Sequence, residues 1–108
     1  MLALSIGDRI KKGENIFSNV EEKFAECDYV VMNLETNISE PGVGKENFQK
    51  AWKFNAPLET LDLLNDTGVN IVNLANNHTS DFEEAGLLNQ MMLLDEKNLA
   101  FWNCERSY

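Results

Sequence analysis

Residues 68–81 constrain the fold of this chain more than any other stretch. A glycine is followed by a short run of β-branched and aliphatic side chains, which predicts a buried strand. The run breaks into Asn76, Asn77 and His78, and the residues after them have the composition of a helix start. In α/β proteins, ligands bind outside the carboxyl ends of the strands. We therefore expect a functional site at this turn, where the only histidine of the chain lies.

Other apolar runs predict further strands that alternate with helices. The predicted strands cover residues 2–6, 28–35, 69–74 and 99–102. From Tyr29 to Met32 the second run is continuously apolar, which is typical of a strand covered on both faces. Alternating strands and helices call for a mostly parallel sheet with helices on its faces. The expected fold class is therefore α/β, in a single domain over residues 1–108.

Capping residues and apolar spacing indicate where the helices lie. The predicted helices cover residues 18–27, 57–67 and 81–97. Ser18 with Glu21, and Ser80 with Glu83, have the spacing of capping boxes. Gly68 follows the second helix, where a left-handed residue often ends a helix. A core-facing stripe is expected on the last helix, made of Leu87, Leu88, Met91 and Leu94.

Polar side chains follow three of the predicted strands. They are Asp8 after the first, Glu35 after the second, and Asn77 and His78 after the third. Parallel strands would bring them to one edge of the sheet, where carboxylates, an amide and an imidazole suit a divalent cation. Histidine could act there as a ligand or as a general acid. The alternative is that the carboxylates are solvated and the histidine is structural.

Asp81 has two possible roles in this pattern. It could orient His78 from behind, as partners of metal-binding histidines often do. It could equally cap the helix that is expected to begin there. The sequence leaves both roles open.

Residues 36–55 show no periodicity and predict a long loop, which in a compact domain is usually functional or mobile. The loop has a local positive charge, which comes from Lys45, Lys50 and Lys53. The loop also carries aromatic side chains that could anchor it to the core or contact a substrate, the first role being the more common. These are Phe48, Trp52 and Phe54.

Charge and composition exclude several classes of function. The net charge of −9 repels nucleic acid and anionic lipid surfaces. Cys27 and Cys104 lack the spacing of a zinc knuckle. No run approaches the ~20 apolar residues of a membrane span, and no secretion signal is recognisable. As written, the chain is expected to be soluble and cytoplasmic.

Several motifs together resemble those of a known family. They are Gly7-Asp8, Asn33-Leu34-Glu35-Thr36, Phe54-Asn55-Ala56-Pro57, and residues 73–81 followed by Gly86-Leu87. Over residues 2–94 the chain resembles the bacterial capsule synthesis proteins of the CapA, poly-γ-glutamate type, a branch of the calcineurin-like metallophosphoesterases. The resemblance implies the N-terminal half of a four-layered α/β sandwich. It also implies a longer intact protein and exposed sheet edges through which this chain could self-associate.

The resemblance also implies roles for individual residues. Asp8, Glu35, Asn77 and His78 would hold a divalent metal ion such as Mn, Zn or Mg, and His78 would protonate the leaving group. In this chain Ile10 stands where the superfamily has a histidine, and the superfamily's later histidine ligands have no counterpart. One loosely held cation is therefore expected rather than a tight pair.

Three functional interpretations follow from the resemblance. The intact protein would be a metal-dependent hydrolase in capsule or poly-γ-glutamate synthesis, acting on a phosphoester or a γ-glutamyl-type amide. Alternatively, it would bind and guide an anionic polymer without catalysis, or this chain would be an inactive fragment. Because family members are often anchored facing outward, a cell-surface location is the alternative to a cytoplasmic one.

Overall fold

A parallel sheet of three short strands lies at the centre of the computed structural model, which describes residues 2–103. In chain order the elements are α1 (Leu4–Lys11), α2 (Glu21–Ala25), β1 (Val31–Asn33), α3 (Glu59–Thr67), β2 (Ile71–Asn73), α4 (Glu83–Glu96) and β3 (Ala100–Trp102). The strand order is β1-β2-β3, and both pairs are parallel. The α/β class and the parallel sheet expected from the sequence are confirmed.

The two faces of the sheet differ in burial. Val72 belongs to the core that α3 and α4 complete, and its register partners Met32 and Phe101 are half-buried against that core. On the opposite face Val31 is 54% exposed and Trp102 is 46% exposed. Within the described residues, β1 is therefore not covered on both faces. Its apolar run is misleading because alternate side chains of the run remain in contact with solvent.

The predicted first strand at residues 2–6 is wrong, because this part of the chain leads into helix α1. Ala3, Gly7 and Ile10 are buried at helical spacing, and α1 packs against α3. A Cβ atom on Gly7 would lie only 3.2 Å from Cδ of Pro57. A short apolar run fits a strand and a helix equally well, and here the helical pattern of burial decides between them.

The helix ends follow the capping residues only in part. Neither predicted capping box forms, since α2 begins after Val20 and α4 after Phe82, both without a side-chain cap. Gly68 ends α3 as predicted, with a φ of 93° that favours glycine. The stripe on α4 packs in the core except for Leu88, which is exposed. None of the helices within residues 2–103 is long and apolar enough to cross a membrane.

The predicted loop between β1 and α3 is tied to the rest of the fold by polar contacts. The N–H of Asn37 donates to the carbonyl of Phe54 at 2.9 Å, and Nδ2 of Asn37 donates to Oε1 of the buried Gln90 at 3.4 Å. Phe48 and Trp52 are 88% and 74% exposed. The expectation that aromatic side chains anchor this loop to the core is therefore wrong for those two residues. The half-buried ring of Phe54 lies against His78 instead.

Candidate functional site

The turn after β2 is shaped by its own asparagine side chains. Oδ1 of Asn73 accepts from the N–H of Ala75 at 2.9 Å, and Oδ1 of Asn76 accepts from that of His78 at 3.0 Å. Nδ2 of Asn76 donates to the carbonyl of Leu34 at 3.0 Å, which joins the turn to the end of β1. Asparagine favours such local bonds over regular structure. The strand therefore ends where the asparagines begin, and the turn brings His78 to the carboxyl edge of the sheet.

His78 and Asp81 form a buried pair. Nδ1 of His78 lies 2.6 Å from Oδ2 of Asp81, and the Asp81 side chain is fully buried. Because a carboxylate oxygen accepts, Nδ1 is the donor and Nε2 is left to face Glu35. Asp81 does not cap α4, whose N-cap residue is Phe82. Of the two roles considered for Asp81, the geometry supports the orientation of His78.

Two residues of the loop complete the surroundings of this pair. Nζ of Lys50 donates to Oδ1 of Asp81 at 2.9 Å and also to the main-chain oxygen of Asn77. The N–H of Phe54 donates to Oδ2 of Asp81 at 2.8 Å, and the Phe54 ring lies against His78. Both oxygens of the buried carboxylate therefore have partners, without which its burial would be costly.

Glu35 approaches the other nitrogen of the histidine. Its Oε1 lies 3.9 Å from Nε2 of His78, and its side chain is 41% exposed, so a solute can reach it. Two ligands at about 2.1 Å from one Zn²⁺ ion lie about 3.4 Å apart in a tetrahedral site. A carboxylate and an imidazole at the observed separation therefore suit a divalent cation after a small side-chain movement.

The other two predicted ligands, Asp8 and Asn77, have exposed side chains. Asp8 lies on α1 rather than after a strand, beside Pro57 and a cavity of about 200 Å³. In the described part of the chain, no ion pair or hydrogen bond joins either side chain to Glu35 or His78, and no group of three or more His, Cys, Asp and Glu side chains is placed to hold a metal ion. Metal binding by Asp8 and Asn77 stays a prediction.

The contacts that Lys50 and Phe54 make with the His78–Asp81 pair could not be predicted from periodicity, because the loop that carries them has none. For Phe54 the available signal is the motif of residues 54–57 that it begins. For Lys50 the signal is only its place in a locally basic loop. Neither signal points to a particular partner.

Comparison with known protein families places nearly the whole chain in one family model. The sequence model of the family described as "Bacterial capsule synthesis protein PGA_cap" matches residues 1–106 of the chain. No curated protein matches the chain.

Proposed function

Because this chain belongs to the bacterial capsule synthesis protein family PGA_cap, we propose that its His78 site is the metal site of a metallophosphatase-like hydrolase that acts in capsule synthesis. The observation that carries the proposal is the setting of the imidazole. Its Nδ1 is held by the buried Asp81, and its Nε2 faces the accessible Glu35 at 3.9 Å. Hydrolases use an oriented imidazole beside a carboxylate for metal binding and for proton transfer.

The proposed metal ion is Mn²⁺, Zn²⁺ or Mg²⁺, and the proposed substrate is a phosphoester. Glu35 and Nε2 of His78 would hold the ion, and the family resemblance adds Asn77 and Asp8 as further ligands. A divalent ion would neutralise charge on a phosphoryl group and activate water.

His78 is also the proposed general acid. A proton on Nε2 could pass to the leaving oxygen, and Asp81 would stabilise the charged imidazole through its bond to Nδ1. Ligation and proton transfer use the same nitrogen, so only one of the two can operate at a time. The ring of Phe54 would keep water from one face of the imidazole in either state.

Calorimetric titration of the chain with MnCl₂ or ZnCl₂ tests the metal site. We expect the parent chain to bind, and Glu35→Gln and His78→Ala to lose affinity by at least about tenfold. Asp8→Asn tests whether α1 supplies a ligand, and Asp95→Asn, at an exposed carboxylate of α4, is the matched control. A parent chain that does not bind, or a His78→Ala variant that binds equally well, would overturn the proposed site.

Hydrolysis of p-nitrophenyl phosphate, with and without a chelator, tests the chemistry. We expect turnover that requires metal and that His78→Ala abolishes. Binding of an anionic capsular polymer in chelator, with no turnover, would instead select the non-catalytic alternative. Two of the loop lysines, Lys50 and Lys53, are already paired with Asp81 and Glu46, which weakens that alternative.

A further inference from the structure

Lys50 contacts the turn on both sides of His78. Its Nζ donates to the main-chain oxygen of Asn77, directly before the histidine, and to Oδ1 of Asp81, three residues after it. One cation of the loop therefore ties down both ends of the short segment that carries the imidazole. We propose that Lys50 is a positioning residue, which fixes this segment so that Nε2 of His78 is presented to Glu35. The proposal deepens the proposed function and rests on it for the chemistry of the site.

The burial of Asp81 explains why the lysine matters. The Asp81 side chain is fully buried, and that of Lys50 is only 25% exposed. A buried carboxylate that loses its cation is left with an uncompensated charge, which is strongly unfavourable. Without Lys50, Asp81 would turn towards solvent or the turn would open. In either case Nδ1 of His78 would lose its acceptor, and the ring would no longer have a fixed direction.

Main-chain contacts deliver Lys50 to this position. The N–H of Asn47 donates to the main-chain oxygen of Asp81 at 2.9 Å, and its Nδ2 donates to that of Ser80 at 3.3 Å. The N–H of Lys50 in turn donates to the carbonyl of Asn47 at 3.0 Å. Lys50 therefore lies on a small turn that is hydrogen-bonded to Ser80 and Asp81 through Asn47. Lys50 thus differs from a solvent-exposed lysine, whose contact with a carboxylate is not fixed by the main chain.

Lys53 provides a matched control in the same loop. Its Nζ donates to the main-chain oxygen of Lys50 at 3.3 Å and lies 3.8 Å from Oε2 of the exposed Glu46. Neither contact involves the turn that carries His78. Replacing Lys53 therefore removes an equal charge from the loop and leaves the contacts of Asp81 in place.

Nuclear magnetic resonance of the ring tests the proposal directly, because the chain has a single histidine and its ring signals need no assignment. In the parent chain we expect an Nδ1-bound proton of His78 that is protected from exchange with water. Lys50→Met should lose this protected signal, Lys50→Arg should retain it, and Lys53→Met should leave it unchanged. A folded Lys50→Met variant that keeps the protected signal would overturn the proposal, as would loss of the signal in Lys53→Met.

Two further measurements keep the outcome decisive. If Lys50→Met does not fold, Lys50→Gln replaces it, since its uncharged amide is one bond nearer the backbone than the lysine ammonium and cannot neutralise Asp81. A protected signal in Lys50→Gln would again overturn the proposal. In calorimetry, Lys50→Met should weaken Mn²⁺ binding by at least about tenfold, as replacement of partners behind metal ligands does. If the parent binds no metal while the ring signal still depends on Lys50, the proposed function fails and the positioning role stands.

Discussion

The ring of Phe54 lies against the imidazole of His78, with the ring centroids 4.2 Å apart and the ring planes inclined by 33°. The main chain of the same residue donates to Asp81 at 2.8 Å. Phe54 therefore touches both members of the buried pair, once through its ring and once through its backbone. It links the conformation of the long loop to the histidine that the loop covers.

Removal of the Phe54 ring should destabilise the fold. We expect Phe54→Ala to lower the free energy of unfolding by about 1–3 kcal/mol, because a half-buried ring and its aromatic contact are lost. Urea denaturation at neutral pH measures the change. Phe48→Ala, at a ring that is 88% exposed, is the control and should stay within about 0.5 kcal/mol of the parent. Equal losses in the two variants would contradict the packing described for Phe54.

The carboxylate of Asp81 should be the most sensitive polar group of the turn. Asp81→Asn keeps the shape of the side chain but leaves Lys50 without a counter-ion, so we expect a loss of about 3 kcal/mol in the free energy of unfolding. The same urea assay applies, with the exposed Asp95→Asn as the control. An Asp81→Asn variant as stable as the parent would show that the buried ion pair contributes nothing.

Gly44 packs against the start of α4 and should not tolerate a side chain. A Cβ atom there would lie 2.6 Å from the main-chain oxygen of Phe82 and 2.9 Å from the nitrogen of Gly86. Gly42 has a similar φ, +82° against +77°, with nothing within 4 Å of such an atom. We expect Gly42→Ala to cost about 1 kcal/mol for its backbone conformation, and Gly44→Ala to cost a further 1–3 kcal/mol, about what overpacking costs. Urea denaturation of the two variants gives their free energies of unfolding, and the difference between them is the steric cost at Gly44. Equal free energies would contradict a steric cost.

The ion pair of Lys97 with Asp62 predicts that the free energy of unfolding depends on pH above the physiological range. The hydrogen bond of Lys97 to Asp62, 2.7 Å long, raises the pKa of Lys97 above its usual value of 10.5. A raised pKa of a lysine stabilises the fold below pH 10.5, and this contribution is lost as the pH rises through the folded-state pKa. Since the pair is exposed, Lys97→Met should be only slightly less stable than the parent at neutral pH. Urea midpoints of the two chains should converge in strong alkali, and a widening difference would contradict the pairing.

Those parts of the fold that local patterns define could be predicted from the sequence. Residues 69–74 give β2 because a glycine and a β-branched run act within a few positions, and Gly68 ends α3 for the same local reason. The first helix could not be predicted, since the run at residues 2–6 fits either structure and only burial against α3 selects α1. The capping serines fail similarly, because contacts elsewhere in the fold decide where α2 and α4 begin.

In the candidate site, too, the residues placed by the strands could be predicted, and those supplied by the loop could not. That Glu35 and His78 would meet followed from parallel strands, and the structure places them 3.9 Å apart. The predicted position of Asp8 depended on a strand that does not form, so its part in the site loses that support. The partners of Asp81 could not be foreseen, because Lys50 and Phe54 come from a loop whose path no sequence pattern specifies.

The ion pair between Lys50 and Asp81 joins residues 31 positions apart. The loop that carries Lys50 has no helix or strand of its own. Local opening of a folded protein is expected to begin in such loops, while the core strands stay paired. The order around His78 is thus expected to break at a lower free energy than the sheet beneath it. A population of molecules can therefore keep its sheet while its site comes apart and re-forms, and hydrogen exchange at residues 47–54 would show those openings first.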